Sequence, residues 1–247
     1  MKKRVLALVA VILIAAVAAF GAGSPEARKG PVEELTVGVA EAWTATDVQY
    51  WIAVECFMQL SLVYNGLLDY DANMQFVPGL AEKWDISKDS LEYIFHLRKG
   101  VKWHNGRELV AADVKFSLER MLGWIPPKKE GLWRSMLGDI KAIETPDDYT
   151  VKVRLKQPYA PFLHGVTSGW NAVVCPENFS EDGKIKENLI IGTGPYKFVK
   201  LVMDDYFQIE RNDDYFAGKP LVKKITFKQI PDPTVRVNAL KAGDIQL

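Results

Sequence analysis

Apolar and polar residues alternate through LEYIFHLR at residues 91–98, through the stretch 149–155, and through ELTVGVA at residues 34–40. A period of two places alternate side chains on opposite faces, so each stretch is predicted as a half-buried strand. Further strands are predicted at residues 67–70, 140–144, 196–201, 206–210 and 223–230, and the unbroken run AVVC at 172–175 predicts a buried strand. Helical spacing takes over elsewhere. Val114, Leu118, Met121 and Leu122 share one face of a helix over residues 111–122. Ile52, Cys56, Gln59, Leu60 and Val63 lie near one face of a helix over residues 48–64, with Asp47 as its N-cap and Asn65-Gly66 ending it. Asp232-Pro233 opens a helix over residues 234–242 that Gly243 closes. Residues 159–166 form a short apolar segment, and residues 124–133, with Pro126-Pro127, read as a loop.

Turn chemistry separates these elements. Asp71 to Asn73, Ser87 to Ser90, Lys99-Gly100, His104-Asn105-Gly106, Thr145-Pro146-Asp147-Asp148 and Asp204-Asp205 all supply residues that favour tight reversals. In IGTGPYKF, residues 191–198, Gly192, Gly194 and Pro195 predict a tight turn in which glycine can take positive φ and proline presets its own. Antiparallel pairs mixed with some strand–helix alternation give the class α/β (mixed α+β). There is no internal repeat, low-complexity tract or linker rich in glycine or serine.

The first 23 residues carry Lys2, Lys3 and Arg4, then an unbroken small and apolar run from Val5 to Phe20, then Gly21, Ala22 and Gly23. That order predicts a cleaved signal peptide, because the run is short for a membrane span and dissolves into small residues. No cysteine near the cleavage zone could accept a lipid, so a soluble periplasmic location is expected. The segment holds three of the 31 basic residues, which leaves 28 basic against 31 acidic side chains and a net charge of −3. Charges of both signs are interspersed, and short pairs such as Lys128-Lys129 and Lys223-Lys224 suit a solvated surface, so no nucleic-acid partner is expected. Cys56 and Cys175 are the two cysteines. Each lies in apolar sequence and reads as a buried free thiol, although an exported protein could also join them.

Catalytic signatures do not assemble. His96, His104 and His164 make neither HExxH nor a paired Cys/His spacing, and no GxSxG occurs. Gly192 and Gly194 imitate the start of a dinucleotide loop, but Pro195 and a predicted strand follow where a helix has to begin. The pairs Asp204-Asp205 and Asp213-Asp214 sit in turns, where Asp serves backbone geometry. No catalytic residue, metal ligand or cofactor is expected. Seven tryptophans and nine tyrosines point to a large core or to a cleft with stacking surfaces. Trp84 and Trp103 sit in apolar sequence and are expected in the core, whereas Trp43, Trp51 and Trp170 lie at element ends or in loops.

Four blocks stand in order: YNGLLDYDANMQFVPGLAEKWDIS, LEYIFHLRKGVKWHNGREL, LVAADVKFSLERM, and IGTGPYKF leading into RNDDYFAGKP and DPTVRVNALKAGDI. Together they resemble the extracellular solute-binding protein family 5, the peptide- and nickel-type binding proteins of ABC importers, over almost all of residues 34–246. The resemblance implies a type II periplasmic-binding-protein clamshell whose two lobes close over a ligand and deliver it to a membrane permease. It further implies that residues 24–66 and 186–247 build an incomplete first-lobe core and residues 67–185 an accessory subdomain. Such proteins are typically about twice as long, so the chain resembles their N-terminal part.

The resemblance has two local departures. Val110 stands where the family places a hydroxyl N-cap, which is expected to cost the helix about 1 kcal/mol. Gly243, Asp244, Ile245 and Gln246 lack the family's final acid. With one wall of the cleft in hand, Trp43, Tyr50, Trp51 and Trp170 are the candidate ligand-binding residues. The function expected is capture of oligopeptides or dipeptides, with oligosaccharides, nickel chelates or other small solutes as further possibilities, by a monomer without covalent chemistry. Two other classes stay open: a secreted hydrolase of mixed fold, and a non-transport ligand sensor on the same fold.

Overall fold

Residues 33–41, 46–50, 59–167, 171–186 and 189–247 are described by the computed structural model. The signal peptide, residues 51–58 of the helix expected at 48–64, Cys56, Trp43, Trp51 and Trp170 lie outside those residues. Two four-stranded sheets organise the rest. One is sequence-local and antiparallel: β4 (Ala81–Ile86), β5 (Glu92–Leu97), β6 (Ile140–Asp147) and β7 (Thr150–Leu155) in the order β4-β5-β7-β6. The alternation that predicted its strands sends Tyr93, Phe95 and Leu97 of β5, and Val151, Val153 and Leu155 of β7, into one core. Helix α1 (Ala111–Met121) covers that core with Ala111, Val114, Leu118 and Met121, and the short α2 (Phe162–Gly165) inserts Phe162 with its ring 4.4 Å from that of Tyr93. Trp103 is buried there and Trp84 packs against it. Each fully buried side chain of this size contributes about 2 kcal/mol.

The other sheet joins sequence-distant strands in the order β1-β10-β9-β8. Here β8 (Tyr196–Val202) and β9 (Tyr206–Arg211) form a hairpin turned at Asp204, whose φ is 59°. Next to β9 runs antiparallel β10 (Lys224–Gln229), and β1 (Glu34–Val39) pairs with β10 in parallel, Glu34 opposite Lys224. Leu35, Phe207, Ile209 and Ile225 from this sheet share a second core with Val63, Tyr64, Val174 and Phe179. Between the sheets, β2 (Leu68–Tyr70) and β3 (Phe76–Pro78) make a two-stranded hairpin. The last helix, α3 (Pro233–Ala242), is capped as expected: Asp232 accepts from the Val235 N–H at 2.9 Å, and Gly243 closes it at φ 83°.

Four expectations are corrected. Residues 172–175 are buried as predicted but form no strand, because their polar groups are met outside any ladder. The Ser117 hydroxyl receives the Val174 N–H at 2.9 Å and shares its one proton between the Asp113 carbonyl at 2.8 Å and the Val174 carbonyl at 3.1 Å, while Val173 N–H donates to the Asn65 carbonyl. Strand β6 continues through Pro146, which an edge strand tolerates because no ladder donor is needed on its open side. Val110 is the N-cap of α1 without a side-chain cap, but the Asp113 carboxylate reaches back to its N–H at 3.0 Å and supplies half of a capping box. The cost expected from the missing hydroxyl is thereby offset.

The fourth correction concerns Gly192 and Gly194, which do not have positive φ. Both lie flat against the chain that precedes β2: a Cβ on Gly192 would sit 1.9 Å from the Val63 carbonyl oxygen, and one on Gly194 would sit 2.5 Å from that of Leu62. Glycine is required for close backbone approach, which lets Gly194 N–H reach the Val63 carbonyl at 2.9 Å and Tyr196 N–H reach that of Leu62 at 2.9 Å. Gly192→Ala is therefore expected to lower stability by about 3 kcal/mol, since backbone on both sides has to move. At Gly100, where φ is 75° and nothing lies within 4 Å, alanine should cost about 1 kcal/mol. Urea denaturation of the two variants measures the difference.

Candidate functional site

Helix α1 anchors residues 47–50, the described segment that carries the candidate Tyr50. Its apolar stripe faces the local sheet, but a second stripe, Asp113, Ser117 and Arg120, is spaced at i, i+4 and i+7 and is also buried. Ser117 and Arg120 meet Val174 and Phe179 of the second core, and each member of the stripe serves a different segment. Asp113 receives the Trp103 indole N–H at 3.1 Å and two guanidinium hydrogen bonds from Arg107, at 2.9 and 3.0 Å. Arg107 also donates to Glu177 at 3.0 Å, and its hydrogen bond to Asp113 is the main reason its protonated form is further stabilised. Ser117 holds residue 174, as described above.

Arg120 holds residues 47–50. Its side chain is fully buried; Nη1 donates to Asp47 Oδ1 at 3.1 Å and to Gln49 Oε1 at 2.7 Å, and Nη2 donates to Asp47 Oδ2 at 2.5 Å and to the Gly183 carbonyl at 3.1 Å. The guanidinium carbon lies 4.5 Å from the Tyr50 ring centre and 3.9 Å from that of Phe179, within cation–π range. Tyr50 answers through its hydroxyl, which donates to the Lys129 carbonyl at 2.8 Å with the Arg120 carbonyl at 3.1 Å. Gln49 donates to the Ser117 carbonyl at 3.0 Å, and its own carbonyl receives the Leu132 N–H at 2.9 Å. Residues 47–50 are thus pinned to α1 on one side and to loop 124–133 on the other. Partial burial raises the Tyr50 hydroxyl pKa, so it remains a neutral donor.

Of the four candidate ligand-binding residues, Tyr50 is the one within the described residues, half-buried in this seam. Trp43, Trp51 and Trp170 lie outside the described residues. Gln49 and Asn171 line one small cavity beneath α1 together with Leu67, Val114, Ser117 and Met121. Arg120 was missed as a site residue because a charged residue at a helical polar position reads as solvent-facing; the available signal was the regular spacing 113, 117, 120 behind an already complete apolar stripe. Asp47, expected as an N-cap, receives hydrogen bonds from both terminal guanidinium nitrogens of Arg120.

The remaining titratable groups play structural parts. His104 is clamped by the glycine segment: Nδ1 accepts the Gly192 N–H at 3.2 Å and Nε2 donates to the Gly194 carbonyl at 3.0 Å. Burial pushes its pKa down to about 4, so the ring is neutral. Cys175 is a free, buried thiol donating to Glu177 at 2.6 Å, and burial, followed by that hydrogen bond, pushes its pKa up to about 12. A thiol held this far from ionisation is a poor nucleophile. Burial also raises the Asp69 carboxyl, which accepts the Tyr70 N–H at 2.8 Å. Among the described residues, no group of three His, Cys, Asp or Glu side chains is placed to hold a metal, and no helix is long and apolar enough to cross a membrane.

A mixed sheet carrying a sequence-local antiparallel sheet on a shared helix defines a lobe of the periplasmic-binding-protein class. The profile of the bacterial extracellular solute-binding proteins, family 5, matches residues 75–247, and the chain belongs to that family. Over 221 residues it is 34% identical to "Di/tripeptide-binding protein 4" of Pseudomonas aeruginosa, covering 81% of this chain and 41% of that protein. It superposes with a TM-score of 0.79 and 30% identity on the binding protein AgaA of A. tumefaciens R10 solved with agropinic acid, covering 86% of this chain and 43% of the other. With DppA of Helicobacter pylori, solved with the peptide STSA, the TM-score is 0.77 at 29% identity, covering 86% and 45%. The chain spans less than half the length of these relatives.

His104 gives the fold a pH dependence. Its native pKa of about 4 lies below the ordinary 6.5, so between those values the unfolded chain binds a proton that the native chain refuses. The stability present above pH 6.5 is expected to fall by about 3 kcal/mol as pH drops to 4, and to level off below that as far as this group is concerned. Urea midpoints across pH 4 to 7 should show the slope, and His104→Gln should flatten it.

Proposed function

We propose that this chain builds the first lobe of the substrate-binding component of an ABC importer, which captures oligopeptides or dipeptides outside the inner membrane and delivers them to a membrane permease. In this reading residues 1–23 are a cleaved export signal, residues 24–66 and 186–247 form the first-lobe core, and residues 67–185 form its accessory subdomain. The protein works as a monomer and changes no covalent bond in its ligand. Its ligand lies against a wall of Trp43, Tyr50, Trp51 and Trp170, and closure is driven by tighter binding in the closed state. The observation that supports the reading best is the likeness, over 86% of the chain, to a protein solved with a bound peptide. The relative solved with agropinic acid supports a scaffold that also serves non-peptide solutes.

Calorimetric titration of the protein at full length with dipeptides, tripeptides and small acidic sugar conjugates tests the assignment, and saturable peptide binding is the expected outcome. Trp43→Ala and Trp51→Ala should each weaken peptide binding by about 2 kcal/mol if their rings form the wall. Unchanged affinity in both would move the wall elsewhere. Incubation with esters, peptides and glycosides should return every substrate intact, and turnover of any of them would favour the hydrolase reading.

A further inference from the structure

Arg120 combines features that packing alone does not call for. It is fully buried and sits on the helix that covers the local sheet, yet every side-chain hydrogen bond described for it runs to residues 47–49 or to Gly183. Its Nε has no hydrogen-bond partner, and the guanidinium is instead flanked by the rings of Tyr50 and Phe179. A residue chosen for stability alone would be apolar here, because a buried ion pair often gives no net gain over a hydrophobic replacement. What a planar fork adds is geometry: paired bonds to Asp47 fix both the distance and the rotation of the segment that carries Tyr50.

We propose that Arg120 is the positioning residue for Tyr50, setting residues 47–50 in register with α1 so that the local sheet and Tyr50 move as one body. The proposal rests on the wall assignment made above. The backbone joins in the same direction, since the Tyr50 hydroxyl shares its proton between the carbonyls of Lys129 and Arg120 and the Gln49 side chain donates to the Ser117 carbonyl one turn earlier. Movement of α1 is therefore passed to Tyr50 through side-chain and main-chain contacts together. Asp47 is the other half of the device, its side chain only 18% exposed at the ion pair.

Amide hydrogen exchange on Arg120→Met tests the local claim without a ligand. Tyr50 N–H, bonded to the Asp47 carbonyl, and Leu132 N–H, bonded to that of Gln49, should exchange at least about tenfold faster, while the amides of β5 and β7 keep their protection. Faster exchange everywhere, or no change at Tyr50 and Leu132, would overturn the proposal. Arg120→Lys, which keeps the charge and loses the fork, should show the same local loss and replaces the methionine variant if that fails to fold. Trialanine affinity of the full-length protein then tests the functional half. Arg120→Met and Tyr50→Ala should each weaken it about tenfold, and the double variant should be little worse than either. Unchanged affinity in Arg120→Met beside a weakened Tyr50→Ala sinks the Arg120 assignment alone. Unchanged affinity in Tyr50→Ala sinks the wall and the proposal with it. A full-length protein that ignores trialanine sinks the peptide reading, and hydrogen exchange then decides the role of Arg120.

Discussion

The close approach of Gly192 and Gly194 to the chain at Leu62 and Val63 is the constraint on which the other contacts depend. Once that backbone lies flat, the Val63 and Leu62 carbonyls are satisfied, β8 starts at a fixed place, and His104 is enclosed with both nitrogens occupied. Asn212 closes the same knot from the far side, donating its backbone N–H to the Pro195 carbonyl and its side-chain amide to that of Gly194. Nothing larger than hydrogen fits at residue 192, so the junction depends on sequence at one atom's resolution.

Helix α1 solves a different problem: it has to be apolar toward one body and polar toward another. The apolar stripe makes it part of the local sheet's core, and the stripe of Asp113, Ser117 and Arg120 ties it to three separate chain segments. Buried polar groups of this kind are favourable only when satisfied: Asp113 is met by the nearby Trp103 and Arg107, while Ser117 and Arg120 are met by groups contributed from long sequence distances. The seam between the two cores is thus directional, in a way that an oily interface is not.

Much of this was legible in the chain. Strands β5, β7, β9 and β10, helices α1 and α3 and most of the turns followed from alternation, helical spacing and capping residues, because each is determined by neighbours within about ten positions. The order of four motif blocks pointed to the family and to the type of fold. Hidden from that reading was everything set by distant partners: that residues 172–175 are buried without a ladder, that Gly192 and Gly194 answer to steric proximity and not to φ, and that Arg120 faces inward. Periodicity says which residues share a face. It does not say whether a second body covers the polar one.

The parallel pairing of β1 with β10 has a consequence for how the chain reaches this state. Glu34 and Lys224 stand opposite each other across 190 residues of sequence, whereas every pairing in the sheet β4-β5-β7-β6 joins strands within 81–155. Loop-closure entropy and contact order both favour the local sheet, so it assembles early while β1 waits for β10. Until β10 arrives, β1 is an unpaired strand of alternating apolar residues, and until β1 docks, β10 keeps an open edge. The segment at greatest risk of mispairing during folding is therefore the one that ends up as a sheet neighbour to the whole of β10, and the time for which it stays exposed is set by the nearly two hundred residues threaded between them.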